Sequence, residues 1–121
     1  MPDHLFFFIG LAFIIMHEMD AVRCKEWRIF PGLSLLKDET GYIVFMLAHL
    51  PLLGWLFLAL FNTNQHENLI TGLSVFFIVH MGLHLLFLKH PKNEFKDWIS
   101  WTIIAGAAIF GFLELFIATN V

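Results

Sequence analysis

The sequence predicts an all-α fold, an integral membrane four-helix bundle with both termini on the outer face, and three observations predict it. The chain has 121 residues, 59% of them hydrophobic and 14% charged, a balance too apolar for a soluble domain of this size. Four stretches reach the roughly 20 residues that a helix needs to cross a hydrocarbon core about 30 Å thick. All seven lysines and arginines fall in two of the connections between those stretches, and basic flanks are retained in the cytoplasm. Two basic loops on one side require an even number of crossings, and four helices satisfy that.

The first helix is expected over His4 to Val22. It has no basic residue before its apolar run and passes into His17, Glu18 and Asp20 where a small-residue cleavage site would stand, so it reads as a retained helix and not a secretion signal. The connection Cys24 to Thr40 mixes Trp27, Ile29, Phe30, Leu33, Leu35 and Leu36 with charges. It is expected to fold as an interfacial, surface-lying segment broken at Pro31-Gly32. The lone Cys24 excludes an intrachain disulfide and points to a reducing side.

The second helix is expected over Gly41 to Phe61, with Pro51 as a source of a kink, and the third over Glu67 to Leu88. The fourth, Trp98 to Thr119, carries Ala105, Gly106, Ala107, Ala108 and Gly111, a small-residue face for close helix approach. Trp27, Tyr42, Trp98 and Trp101 cluster where the basic loops meet the bilayer, as an interfacial belt does. Residues 1–121 thus read as one domain, without repeat or low-complexity tract. A net charge of -3 and the lack of a basic stripe give no support for a nucleic-acid role.

Ionisable residues inside membrane helices are costly and need a partner, a cavity or a task. Counted from the cytoplasmic ends, His17 is about five residues in, His49 and His80 about eight and His84 about four, which places them in one slab of the inner leaflet at about 1.5 Å per residue. His17 and Asp20 share a helix face, as do His80 and His84. Such pairs on facing helices hold metals in helical bundles. The candidate ligands are therefore His17, Asp20, His49, His80 and His84, a nitrogen-rich set suited to zinc or, second, non-haem iron. A haem would have to use His49 with one histidine of the third helix.

Glu18 sits about 100° around the helix from His17 and reads as an outer-sphere carboxylate or an acid-base group, with Asp20 the other candidate catalytic carboxylate. The competing reading makes the histidines interhelical hydrogen-bonding contacts and pairs Glu18 and Asp20 with Arg23 or another basic residue of the first loop. Glu114 lies in the outer half of the fourth helix, away from the slab, and is expected to snorkel or to bond a polar neighbour. His4, His66 and His90 fall at helix ends or in loops and read as solvated or interfacial.

The run His17-Glu18-Met19-Asp20-Ala21, then Lys25-Glu26-Trp27-Arg28, a Pro-Gly turn and Ala48-His49-Leu50-Pro51 resembles a family of small, mostly bacterial membrane proteins of unknown function. Its members carry an HE-x-DA element, a KEW element and a later helix-borne histidine. The resemblance covers the first half of the chain well and the second half by helix count and histidines, and implies a fold without a chemistry. More loosely, His80 and His84 with His17 resemble the zinc ligands of alkaline ceramidase and adiponectin-receptor type membrane metallohydrolases. Those proteins have seven helices against four here, so this is analogy.

The functional expectation is zinc-dependent hydrolysis of a lipid-like ester or amide at this cluster, in a bacterial cytoplasmic membrane. The alternatives are a non-enzymatic subunit of a homo-oligomer or larger membrane complex, and a haem or quinone carrier.

Overall fold

The computed structural model describes residues 4–29, 32–62 and 66–117, with the side chain of His66 left aside. Four α-helices make up the bundle among these residues: α1 (Leu5–Arg23), α2 (Asp38–Phe61), α3 (His66–Leu86) and α4 (Trp98–Phe116). Each is long and apolar enough to cross a membrane, and the all-α four-helix expectation holds. The expected last residues of the fourth helix, Ala118 and Thr119, and the Phe30 and Pro31 part of the expected break, lie outside the described residues.

Helix α2 starts three residues earlier than the hydropathy implies, because Asp38 and Glu39 in its first turn favour the positive end of the helix dipole. It then runs through Pro51 without interruption. Helix α4 starts where expected because the Asp97 side chain caps it, accepting a hydrogen bond from the Ser100 amide at 2.9 Å. Burial of apolar surface cannot drive helix association in lipid, so close packing must do more of it. The small-residue face of α4 serves that end: Gly111 lies so near α3 that an added Cβ would meet the Ser74 carbonyl oxygen at 2.6 Å.

Helix α4 is the centre of the bundle, with α1 and α3 both packed on it, while α2 stands at the edge and buries only Gly41, Phe45 and Leu56. The polar contacts fix the directions. His4 at the start of α1 meets Glu114 near the end of α4 and Glu67 at the start of α3. Arg23 at the end of α1 meets Ser100 at the start of α4. The helices therefore alternate in direction, and the two basic connections share one end.

The connection after α1 is folded, as expected, but its first half turns inward. Glu26, Trp27 and Ile29 are buried, whereas Leu35 is exposed. Two short 3-10 turns, Glu26–Arg28 and Leu33–Leu35, carry it. Trp27 packs so tightly against Gly41 that a Cβ there would meet its ring at 2.5 Å, and Arg28 pairs with Asp38. One apolar cluster including Trp27, Phe45 and Phe95 fills this end of the bundle, and a second including Phe7, Phe77 and Ala107 fills the other.

Candidate metal centre

Between the two apolar clusters lies a buried polar group. His17 projects from α1, while His80 and His84, one helical turn apart on α3, face it together. Their rings lie 4.4 to 4.8 Å apart, centroid to centroid, and His17 is completely shielded from solvent. The fourth member is Glu26. The chain leaves α1, reverses at Lys25 in the left-handed conformation (φ 53°), and returns the Glu26 carboxylate over the histidines.

One ligand atom from each of His17, Glu26, His80 and His84 fits within a mutual separation of 4.8 Å. His17 Nε2 is 3.1 Å from His80 Nε2 and 3.7 Å from Glu26 Oε2, and Glu26 Oε1 is 3.9 Å from His84 Nε2. Two atoms each about 2.0 Å from a tetrahedral ion sit about 3.3 Å apart. The four residues thus stand within a few tenths of an ångström to about 1.5 Å of a first coordination shell, and the group could hold a metal ion. Its donor chemistry fits that role: imidazole nitrogens turned inward on one carboxylate. The far nitrogens, His17 Nδ1 and His80 Nδ1, are buried with no hydrogen-bond partner among the described residues, so what organises these two rings lies on the Nε2 side.

The other expected site residues have different partners. Asp20 accepts hydrogen bonds from Arg23 Nε at 2.8 Å and Ser100 Oγ at 2.5 Å, and Cys24 Sγ is 3.8 Å away. Arg23 also donates to Asp97. This network fastens the end of α1 to the start of α4. The backbone and hydroxyl of Ser100 hold the Asp97 carboxylate below its usual range. Burial pushes the Cys24 thiol up to about 11, which leaves it a neutral packing group at pH 7.

His49 and Glu18 form a pair of their own. His49 Nδ1 is 2.7 Å from the Phe45 carbonyl oxygen, an acceptor only, so Nδ1 carries a proton. His49 Nε2 is 2.5 Å from Glu18 Oε2. A neutral imidazole protonated at Nδ1 presents a lone pair at Nε2, so the close contact requires a second proton between the two groups. Glu18 and His49 face an apolar-walled cavity of about 400 Å³ whose lining also includes Glu26, His80 and His84.

At the opposite end, Glu114 is buried and bonded to His4 at 2.6 Å and to the Phe7 amide at 3.3 Å, the neighbouring polar group that its position called for. His4, which its position alone assigned to solvent or the interface, bridges Glu114 and Glu67.

The structure thus brings together three of the expected ligands, His17, His80 and His84, and places Asp20 and His49 in neighbouring networks. It adds Glu26, which helical spacing could not reach because it lies beyond the end of α1. No curated protein and no solved structure matches this chain. A family model does, over residues 3–121, nearly the whole chain. The chain belongs to that family, described as a family of unknown function, DUF6713.

Proposed function

We propose that this protein is an integral membrane metalloprotein whose centre is His17, Glu26, His80 and His84, with zinc as the metal, and that it hydrolyses a lipid-like ester or amide. The observation that carries the reading is the convergence of four buried ligand groups from two helices and a turn within 4.8 Å, beside an apolar-walled cavity. Three imidazoles and a carboxylate suit zinc or non-haem iron, and hydrolysis needs no redox change, which favours zinc. Zinc bound there would supply Lewis acidity towards a carbonyl and a more acidic water. The residues of this chain do the rest. Glu18 and His49 hold a shared proton at the cavity wall, within reach of a polar group seated there. The apolar walls exclude bulk water. The basic loops carrying Arg23, Lys25, Arg28, Lys37, Lys89, Lys92 and Lys96 face the cytoplasm on this reading, which places the centre in the inner leaflet.

A haem carrier is a poorer fit, because both ring nitrogens of His49 are engaged, by Phe45 and Glu18. A non-enzymatic subunit has one observation in its favour. The direct 3.1 Å contact between His17 and His80 pins α1 to α3 without a metal.

The deciding experiment is elemental analysis of the detergent-purified protein beside a His80→Ala/His84→Ala variant. About one zinc per chain, lost in the variant, supports the metal centre. Metal-free wild type with thermal stability unchanged by chelator makes the histidines packing groups. Release of fatty acid from acyl esters or amides by the zinc-loaded protein, absent in the variant, then tests the hydrolysis.

A further inference from the structure

The cavity beside the cluster has a chemical pattern that narrows what it can hold. One wall is α2 and the other α3, two helices that touch each other little. Along α3 it extends from Phe76 to His84, about 12 Å at about 1.5 Å per residue, and reaches Phe87 just past the helix end. Its polar side chains, Glu18, Glu26, His49, His80 and His84, form a band part way along that length. Hydrocarbon lies on both sides of the band: Leu52 and Phe76 towards the middle of the bundle, Leu33 and Phe87 towards the loops.

Two features of the cavity restrict the occupant. Its volume of about 400 Å³ is that of a site for one small ligand, too little for a lipid with two fatty chains. Among the described residues no lysine or arginine lines it, whereas phosphate groups are ordinarily recognised by those side chains. The polar band offers carboxylates and imidazoles, partners for hydroxyl and amide groups. Glu18 of α1 and Glu26, Ile29 and Leu33 of the connection after it complete the lining.

We infer that the cavity is the substrate site of the metal centre proposed above, and that it takes an uncharged amphiphile with a single hydrocarbon chain. The chain lies along the α2–α3 walls and the hydroxyl, ester or amide group sits at the Glu18–His49 band. The inference rests on the metal-centre reading for its chemistry and on the cavity alone for its ligand class.

The test is equilibrium binding of 1-O-dodecyl glycerol, an ether that cannot be hydrolysed, to the full chain in lipid nanodiscs, with dodecyl phosphate as the charged comparison. Ala48→Trp fills the cavity from α2, and metal content is measured on the same samples. The expected result is saturable binding of one dodecyl glycerol per chain, at least about tenfold weaker in Ala48→Trp and at least about tenfold weaker for dodecyl phosphate. Should Ala48→Trp fold poorly, Leu52→Phe provides the same obstruction with less added volume. No saturable binding, binding indifferent to both cavity variants, or equal binding of the phosphate would overturn the inference. Metal present without lipid binding removes the cavity assignment alone. Lipid binding without metal removes the metal centre and leaves the ligand class standing.

Discussion

Glu26 Oε2 lies 3.7 Å from His17 Nε2, although the end of α1 and a reversal of the chain at Lys25 separate the two residues. A carboxylate delivered by a turn can be withdrawn without disturbing the helices. Glu26→Gln is therefore expected to leave the bundle folded and to weaken metal retention by at least about 10- to 100-fold, the scale on which even outer-sphere partners of metal ligands matter. Titration against a chromophoric chelator measures it, and unchanged affinity would remove Glu26 from the centre.

Asp20 gives the opposite expectation. Its partners are Arg23 and Ser100, so its loss unties α1 from α4 and leaves the histidines in place. Asp20→Ala should destabilise by about 1–3 kcal/mol, the usual scale for stranding buried polar partners, with metal content unchanged. Thermal unfolding and elemental analysis on the same preparation separate the two effects.

His4 makes its end of the bundle sensitive to pH. It lies just outside α1, and its bond to Glu114 raises its pKa, helped by Glu67 and opposed by partial burial. A histidine whose pKa is raised on folding adds stability that is complete below its unfolded value of about 6.5 and is lost as pH rises through the folded value. The melting temperature should accordingly fall as pH climbs above about 6.5, and His4→Gln should flatten that part of the profile. An unaltered profile in the variant would assign the dependence to other groups.

Two glycines make a matched pair. A side chain at Gly111 would meet the Ser74 carbonyl oxygen at 2.6 Å, so Gly111→Val must push α3 and α4 apart, at a cost of about 1–3 kcal/mol or more. Gly72 has nothing within 4 Å of an added Cβ, and Gly72→Ala is expected to stabilise by about 0.5–1 kcal/mol through helix propensity. Unfolding in detergent ranks the two, and equal effects would mean that close approach at Gly111 contributes nothing.

Short-range information carried far in this chain. Hydropathy and length located four helices to within a few residues, because crossing about 30 Å of hydrocarbon fixes the length of an apolar run. The depth count selected His17, His49, His80 and His84, and helical spacing joined Asp20 to His17, since both depend only on position along a helix; of these, His17, His80 and His84 come together in the structure. Helical spacing put Asp20, on the face of His17, in the set, and the structure gives the carboxylate beside the histidines to Glu26 instead. Asp20 is taken by Arg23, a neighbour on its own helix, and by Ser100, eighty residues away. Glu18 points around the helix to His49.

The sequence by itself determined the helix count, the alternation of polar and basic ends and a set of buried histidines that contains the three of the cluster, all consequences of local periodicity and of the cost of polar groups in lipid. Only the tertiary structure decided the fourth member of the cluster and the cavity beside it. Glu26 reaches the histidines through a reversal at Lys25, held by Trp27 against Gly41 and Arg28 against Asp38. The cavity exists because α2 packs weakly at the edge of a bundle centred on α4. Such contacts join residues distant in the chain, and no periodicity along one helix encodes them.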